Sequence, residues 1–375
     1  MPLRMQANMS YSLSPEERLF LSLSGTDFAE KCAGMFSGNY DRLLELANLN
    51  QVSPIMYRNL QKVQGVPEHV MEGLNKAYLA TFLQNVRHSQ ETMRIIGLPQ
   101  MEGIEVIPLK GSLFSDIVLG DMGLYPTCDI DLLVHPRDLE RAKSAIVGLG
   151  YSEGSTLAEE DRLQGSYHLS FSNNTYVVEL HWNLVMRYFE APPDFWWEDA
   201  GIIEYEGTVI SVLAPEKYLL YAIFRLFSHG FIPLRFSILV SGIVGKYGGQ
   251  IDWSKFLSCA GELKMNRVSL FTLKLLHELL GVDIPQEIAN RRVFGYDFLK
   301  RIVMKGLFKG VKRTRLRMAF FTILMDTPLN TLRVLFRRLL PKRSELRLRY
   351  GLSPDSKKVF FYYLLNPFFL VFRRR

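Results

Sequence analysis

Two aspartates lie one residue apart in the run Asp129-Ile130-Asp131-Leu132-Leu133-Val134. An apolar, branched run of this length reads as a β-strand. Side chains two positions apart on a strand share a face, so both carboxylates project together, about 6 to 7 Å apart along the backbone. Ile130, Leu132 and Val134 are then expected on the opposite face, in apolar core. Two like charges this close repel, and one of them tends to keep a proton. Replacing either aspartate by asparagine is therefore expected to stabilise the metal-free chain. A divalent cation removes the same conflict, and hard oxygen ligands at this spacing suit Mg²⁺.

A third acid follows the same logic. Tyr176-Val177-Val178-Glu179-Leu180-His181 reads as a strand with Val177, Glu179 and His181 on one face and Val178 and Leu180 on the other. A carboxylate inside such an apolar run needs a partner. If this strand pairs beside the first, Asp129, Asp131 and Glu179 converge, and three carboxylates suffice for a two-metal phosphoryl-transfer site. The alternative for Glu179 is a structural ion pair with Arg162 or Arg187. His181 shares the face of Glu179, where it orients an acid, contacts substrate or packs as a hydrogen-bonded strand residue. Lys110-Gly111-Ser112 ends an earlier apolar run, Glu105 to Leu109, and opens a helix. Glycine lets backbone approach an anion, the helix start offers free amides, Ser112 adds a hydroxyl and Lys110 a point charge. His168 and His229 read as structural, Cys128 as a small core residue facing away from Asp129, and Trp182, Trp196 and Trp197 as packing residues.

These residues need a sheet to hold them. The order strand, helix, strand, helix, strand, strand runs from Gly103 to Leu180, with Asn173-Asn174 as a hairpin turn. It predicts an α+β fold, a small mixed sheet with helices on it. Ahead of it lies helix. Ser14-Pro15-Glu16-Glu17 is a capping box, and Leu74, Tyr78, Phe82 and Val86 recur every four residues in a stretch, 68–98, without proline. From Pro215 the chain is helical again. The expected organisation is an N-terminal helical region (1–100), a catalytic core (101–210), a helical domain (211–300) and a basic, aromatic-rich C-terminal extension (301–375).

The 375 residues, 48% apolar and 22% charged, exclude disordered and fibrous classes and fit two packed domains, or one domain with large additions. Three cysteines and a polar start, Met1 to Ser14, predict a cytoplasmic protein without a disulfide scaffold. Charge is uneven: residues 301–375 hold 19 Lys and Arg against three acids, a net +16, which leaves −9 on residues 1–300. Such a tail suits its own acidic body, an anionic membrane surface, or nucleic acid, in that order. Its longest apolar run, Val359 to Phe372, is interrupted by Asn366-Pro367 and falls short of the ~18 residues a membrane span needs.

Taken together, the glycine-serine turn, the Asp-x-Asp strand and the later acid resemble the polymerase-β-like nucleotidyltransferase superfamily. The chain is more closely similar to the uncharacterised nucleotidyltransferase family of prokaryotes. That resemblance rests on Leu109-Lys110-Gly111, Asp129 to Val134, Gly150-Tyr151, Tyr167-His168-Leu169 and Val178-Glu179-Leu180-His181-Trp182, with Pro215-Glu216, His229 and Ile251-Asp252-Trp253 downstream. It implies Mg²⁺-dependent transfer of a nucleoside monophosphate from a nucleoside triphosphate to an acceptor hydroxyl, with release of pyrophosphate. Asp129, Asp131 and Glu179 match the metal-binding acids, and Gly111 and Ser112 the phosphate-binding turn. One departure is Tyr125, where relatives often carry an arginine near the phosphates. The competing reading is a nucleotide-binding or interaction module that has lost turnover and works through its basic tail.

Overall fold

The long proline-free stretch is one helix, and its polar residues, rather than its apolar ones, set its orientation. The structure is a computed structural model and describes residues 13–25, 39–98, 103–154, 167–186, 189–309, 319–341, 343–353 and 356–372. Residues 1–12 of the N-terminal arm, Cys32, Arg162 and Arg187 lie outside the described residues. Three helices, α1 (Pro15–Leu23), α2 (Tyr40–Asn50) and α3 (Ser53–Leu60), precede α4 (Glu68–Ile96). The capping box at Ser14 is formed in full. Along α4 the expected apolar stripe does not all face inward, because Phe82 is exposed while Thr81, Asn85, His88, Ser89 and Thr92 are buried. Asn85 Nδ2 donates to the carbonyls of Met122 and Tyr125 at 2.6 and 2.8 Å, and the Gln84 side chain donates to the carbonyl of Thr127. The helix thus satisfies the backbone of an irregular loop, 121–127, that has no ladder of its own.

The sheet is mixed and five-stranded, in the order β1-β2-β5-β4-β3. Its strands are β1 (Val106–Pro108), β2 (Ile130–Val134), β3 (Ser152–Glu153), β4 (His168–Ser172) and β5 (Val177–His181), with α5 (Ser112–Ile117) after β1 and α6 (Leu139–Gly148) after β2. β2 and β5 run parallel, and Asp131 is the register partner of Glu179. The other pairings are antiparallel, and the β4–β5 hairpin turns at Asn173, whose side chain accepts from the amides of Thr175 and Tyr176. As the alternation predicts, Ile130, Leu132, Val134, Val178 and Leu180 pack on one side with Ala142 and Ile146 of α6. Asp129 itself precedes β2 and is not part of the ladder.

A second hairpin, β6 (Gly201–Tyr205) and β7 (Thr208–Val212), has no counterpart in the sequence reading. Helices α7 (Pro215–Ser228), α8 (Arg235–Tyr247), α9 (Trp253–Glu262), α10 (Asn266–Leu280), α11 (Gln286–Ala289) and α12 (Tyr296–Lys309) follow. Their apolar residues join those of α1–α3 in one continuous core, which also takes in Phe320, Phe321, Leu324 and Met325. The chain then forms α13 (Pro328–Leu339), α14 (Arg343–Tyr350) and α15 (Val359–Phe372). No described helix is long and apolar enough to cross a membrane.

The Asn85 contacts carry a direct test. Asn85→Leu leaves two carbonyls of the 121–127 loop without their donor, and should cost about 1–3 kcal/mol of stability by chemical denaturation. A loss below about 0.5 kcal/mol would show the loop to be held by other means.

Candidate active site

Asp131, Glu179 and His181 meet because β2 and β5 are neighbours in register. Their ligand atoms all lie within 4.8 Å of one another. His181 Nε2 is 3.1 Å from Asp131 Oδ1 and 3.3 Å from Glu179 Oε2. Burial works against the charge on Glu179, but contact with His181 outweighs it and holds the carboxyl down to about 2. Asp131 is fully buried, and there too desolvation is overcome, by Lys110 and then His181, so its pKa is lowered. Burial opposes the imidazolium of His181, and the two carboxylates nevertheless raise its pKa above the ordinary 6.5. The two carboxylates are hard oxygen donors of the kind that suits Mg²⁺ or Mn²⁺, whereas the imidazole is a donor for softer metals and here bridges the two acids.

Lys110 changes the expected picture of the aspartates. Its ammonium lies 2.7 Å from Asp129 Oδ1 and also bonds Asp131 Oδ2. The lysine is buried, which disfavours its charge, yet the two carboxylates keep its pKa above the ordinary value. Lys110 is therefore engaged with the acids rather than presented as a free point charge for phosphate. The predicted like-charge conflict does not arise, so the expectation that asparagine at either position stabilises the metal-free protein is reversed. Removing Asp131 leaves a buried cation short of a partner.

Gly111 adopts φ 94° and ψ −136°, a region closed to other residues, and a Cβ there would lie 3.0 Å from Thr127 Cγ2. It lines a cleft of about 260 Å³ together with Lys110, Asp129 and Glu179. Ser112 is buried, and neither it nor Asp131 nor His181 is among the lining residues. Cys128 is the opposite of its expected core position. It is exposed and lines the cleft, because the chain at 128–129 has not yet entered the ladder that would fix alternation. Trp196 and Trp197 do pack: Trp196 is buried and donates to Asn183, and Trp197 stacks on His135.

The far wall of the cleft comes from helices well downstream. Arg225 on α7, and His229, Arg235 and Phe236 at the α7–α8 turn, complete the lining. Burial opposes the Arg225 charge, but Tyr221 and Asp131 raise its pKa. Neither arginine forms an ion pair among the described residues, and the Nε of each is buried without a hydrogen bond. Arg235 lies 6.0 Å from the Tyr125 ring and 4.7 Å from that of Phe236, and His229 stacks on Phe236 at 3.8 Å. Two cations thus line the same cleft as Tyr125, both from the helical side. Sequence reading passed over both arginines, since their spacing belongs to an apolar helix face and carries no motif. The downstream dipeptides have a structural role: Glu216 Oε1 accepts from the amide of Asp252 at 2.8 Å, and Asp252 caps α9. Tyr218 donates to the carbonyl of Leu109, tying α7 to the strand end that carries Lys110.

Residues 37–281 match the family described as uncharacterised nucleotidyltransferase, and the chain belongs to that family. No curated protein and no solved structure matches it.

The arrangement yields two tests. Asp131→Asn should destabilise the metal-free protein by about 3–5 kcal/mol, with partial recovery on adding Lys110→Met. A rise in melting temperature for the single variant would instead restore the repulsion picture. The second test concerns protons. A proton on His181 competes with a cation for Asp131 and Glu179, and its raised pKa keeps that proton bound at and above pH 6.5. Mn²⁺ affinity should therefore increase as pH rises through the pKa of His181, above the ordinary 6.5, and His181→Gln should flatten the profile. The same sign makes the metal-free fold lose stabilisation as pH rises through the pKa of His181. A wild-type Mn²⁺ affinity independent of pH would show the imidazole to be neutral throughout.

Proposed function

We propose that the protein is a Mg²⁺-dependent nucleotidyltransferase that moves a nucleoside monophosphate from a nucleoside triphosphate to an acceptor hydroxyl and releases pyrophosphate. The observation that carries this reading is the cleft with Asp129 and Glu179 on its sheet side, Asp131 directly behind, and Arg225 and Arg235 on its helical side. Membership of the family supports it. A cation at Asp131, Glu179 and Asp129 would supply charge neutralisation at the phosphates and a lower barrier to attack. The remaining work falls to the chain itself. Arg225 and Arg235, each with a buried donor lacking a partner, bind and orient phosphate oxygens. Gly111 admits a close approach to backbone at the strand end. Glu179 stays ionised at neutral pH and accepts a hydrogen bond from the acceptor hydroxyl, while His181 holds it and Asp131 in place. We place the catalytic unit in residues 101–210, with the helical region 211–300 closing its cleft.

One observation favours the second reading, a binding module without turnover: Lys110 already neutralises both aspartates, as it would in a protein that never takes up metal. Pyrophosphate release with each nucleoside triphosphate and Mg²⁺ separates the two. The enzyme reading expects turnover with at least one, a fall of about 10³-fold in Asp129→Asn and Glu179→Gln, and KM for the triphosphate raised about tenfold in Arg225→Gln and in Arg235→Gln. No turnover with any triphosphate, alongside nucleotide binding that these variants weaken, establishes the module instead.

A further inference from the structure

The basic tail divides into two parts that behave differently. Phe320, Phe321, Leu324 and Met325 are absorbed into the main core, where Phe321 lies 4.3 Å from Phe227 and Phe320 lies 4.6 Å from Phe231. Beyond Met325 the apolar residues turn outward. Leu329, Leu332, Phe336 and Leu339 fall at positions i, i+3, i+7 and i+10 of α13, a single stripe, and each is between 44% and 64% exposed. The opposite side of the same helix faces the body through Asn330 and Val334, both buried. On α15, Phe360, Phe361 and Leu364 are exposed together, while Val359 and Asn366 are buried. Tyr363 donates to the carbonyl of Pro341 and Asn366 to that of Leu339, so α15 is fixed against α13 by its inner side and its aromatics are held outward. Tyr350 and Tyr362 stack at 4.4 Å to join α14 to the same unit.

We propose that this face docks on an anionic lipid surface, with α13 and α15 lying in the headgroup plane. A stripe of this kind flanked by cations is what an interfacial helix presents. The cations are at hand: Lys357 and Lys358 are exposed at the start of α15, and the Arg343 guanidinium lies 4.8 Å from the Phe360 ring. Among the described residues a single ion pair, Arg333 with Glu190 at 3.3 Å, joins this segment to the acidic body, and Lys357 and Lys358 stand exposed beside the apolar face. A second copy of the chain is a poorer occupant, because two segments beyond Met325, each with 12 Lys and Arg against three acids, would repel. Nucleic acid would meet the charge but not the aliphatic residues Leu329, Leu332, Leu339 and Leu364. This inference stands apart from the nucleotidyl-transfer reading and needs no turnover.

Vesicle sedimentation with the full chain tests it. Binding is expected to phosphatidylserine-containing vesicles at low salt, to weaken as salt is raised, and to be absent with phosphatidylcholine alone. The double variant Leu332→Glu/Phe336→Glu, and separately Phe361→Ser, should each lower the bound fraction at least about tenfold with an unchanged melting curve. Lys357→Glu/Lys358→Glu should weaken binding to the anionic vesicles. Failure of the wild-type chain to bind anionic vesicles at low salt overturns the proposal. So does wild-type binding by a folded Phe361→Ser variant, a dimer that the stripe variants dissociate, or retention by RNA or DNA without retention by vesicles.

Discussion

The site depends on one buried cation. Lys110 is nearly enclosed, and a lysine in that environment keeps its charge only where carboxylates surround it. Asp129 and Asp131 provide them, one from the approach to β2 and one from within it. This pairing ties the end of β1 to the start of β2 across their antiparallel ladder and sets the turn that follows. Gly111 is needed there because the chain must reverse at positive φ with Thr127 against it. The strand register then does the rest, since pairing Ile130 with Val178 places Asp131 beside Glu179 and Leu133 beside His181.

A site built this way remains acidic on its sheet side. The carboxylates of Asp129, Asp131 and Glu179 outnumber Lys110 and His181, so without a cation this side does not attract a polyanion. Attraction for an anion arises across the cleft, where Arg225 and Arg235 form no ion pair among the described residues. The helical side is thereby part of the site rather than a scaffold beside it. Its attachment is polar and specific: the Tyr218 hydroxyl on the Leu109 carbonyl and the Arg235 guanidinium over Tyr125.

Much of this was legible in the sequence wherever a local period or a cap decides the outcome. The alternation in Asp129 to Val134 and in Tyr176 to His181 placed the apolar faces correctly, and Ser14, Asp252 and Gly281 mark helix ends as their side chains or lack of one require. Cys128 was misplaced because alternation was carried one residue past the strand, into chain that has no ladder to enforce it. The lysine bridge was missed for a different reason. Asp-x-Asp predicts repulsion only while no cation is near, and Lys110 is 19 positions away, joined by pairing that no local pattern reveals. Arg225 and Arg235 were hidden in the same way, as single cations in apolar helices whose surroundings are set by tertiary packing.

The two amphipathic segments show where periodicity stops being informative. On α4 the four-residue recurrence of Leu74, Tyr78, Phe82 and Val86 is real, but the buried face holds Thr81, Asn85 and His88, since the neighbour is a loop with carbonyls to satisfy. In the tail, apolar residues of similar type meet opposite fates on either side of Met325. Phe320 and Phe321 are buried because Phe227, Phe231 and Phe271 leave room for aromatic edges, whereas Leu332 and Phe336 are exposed because Asn330 and Val334 already fill the contact with the body. A hydrophobic stripe therefore specifies that a surface exists. Whether that surface is covered depends on the shape and polarity of what the rest of the chain brings against it, and on α13 the described residues leave Leu332 and Phe336 exposed.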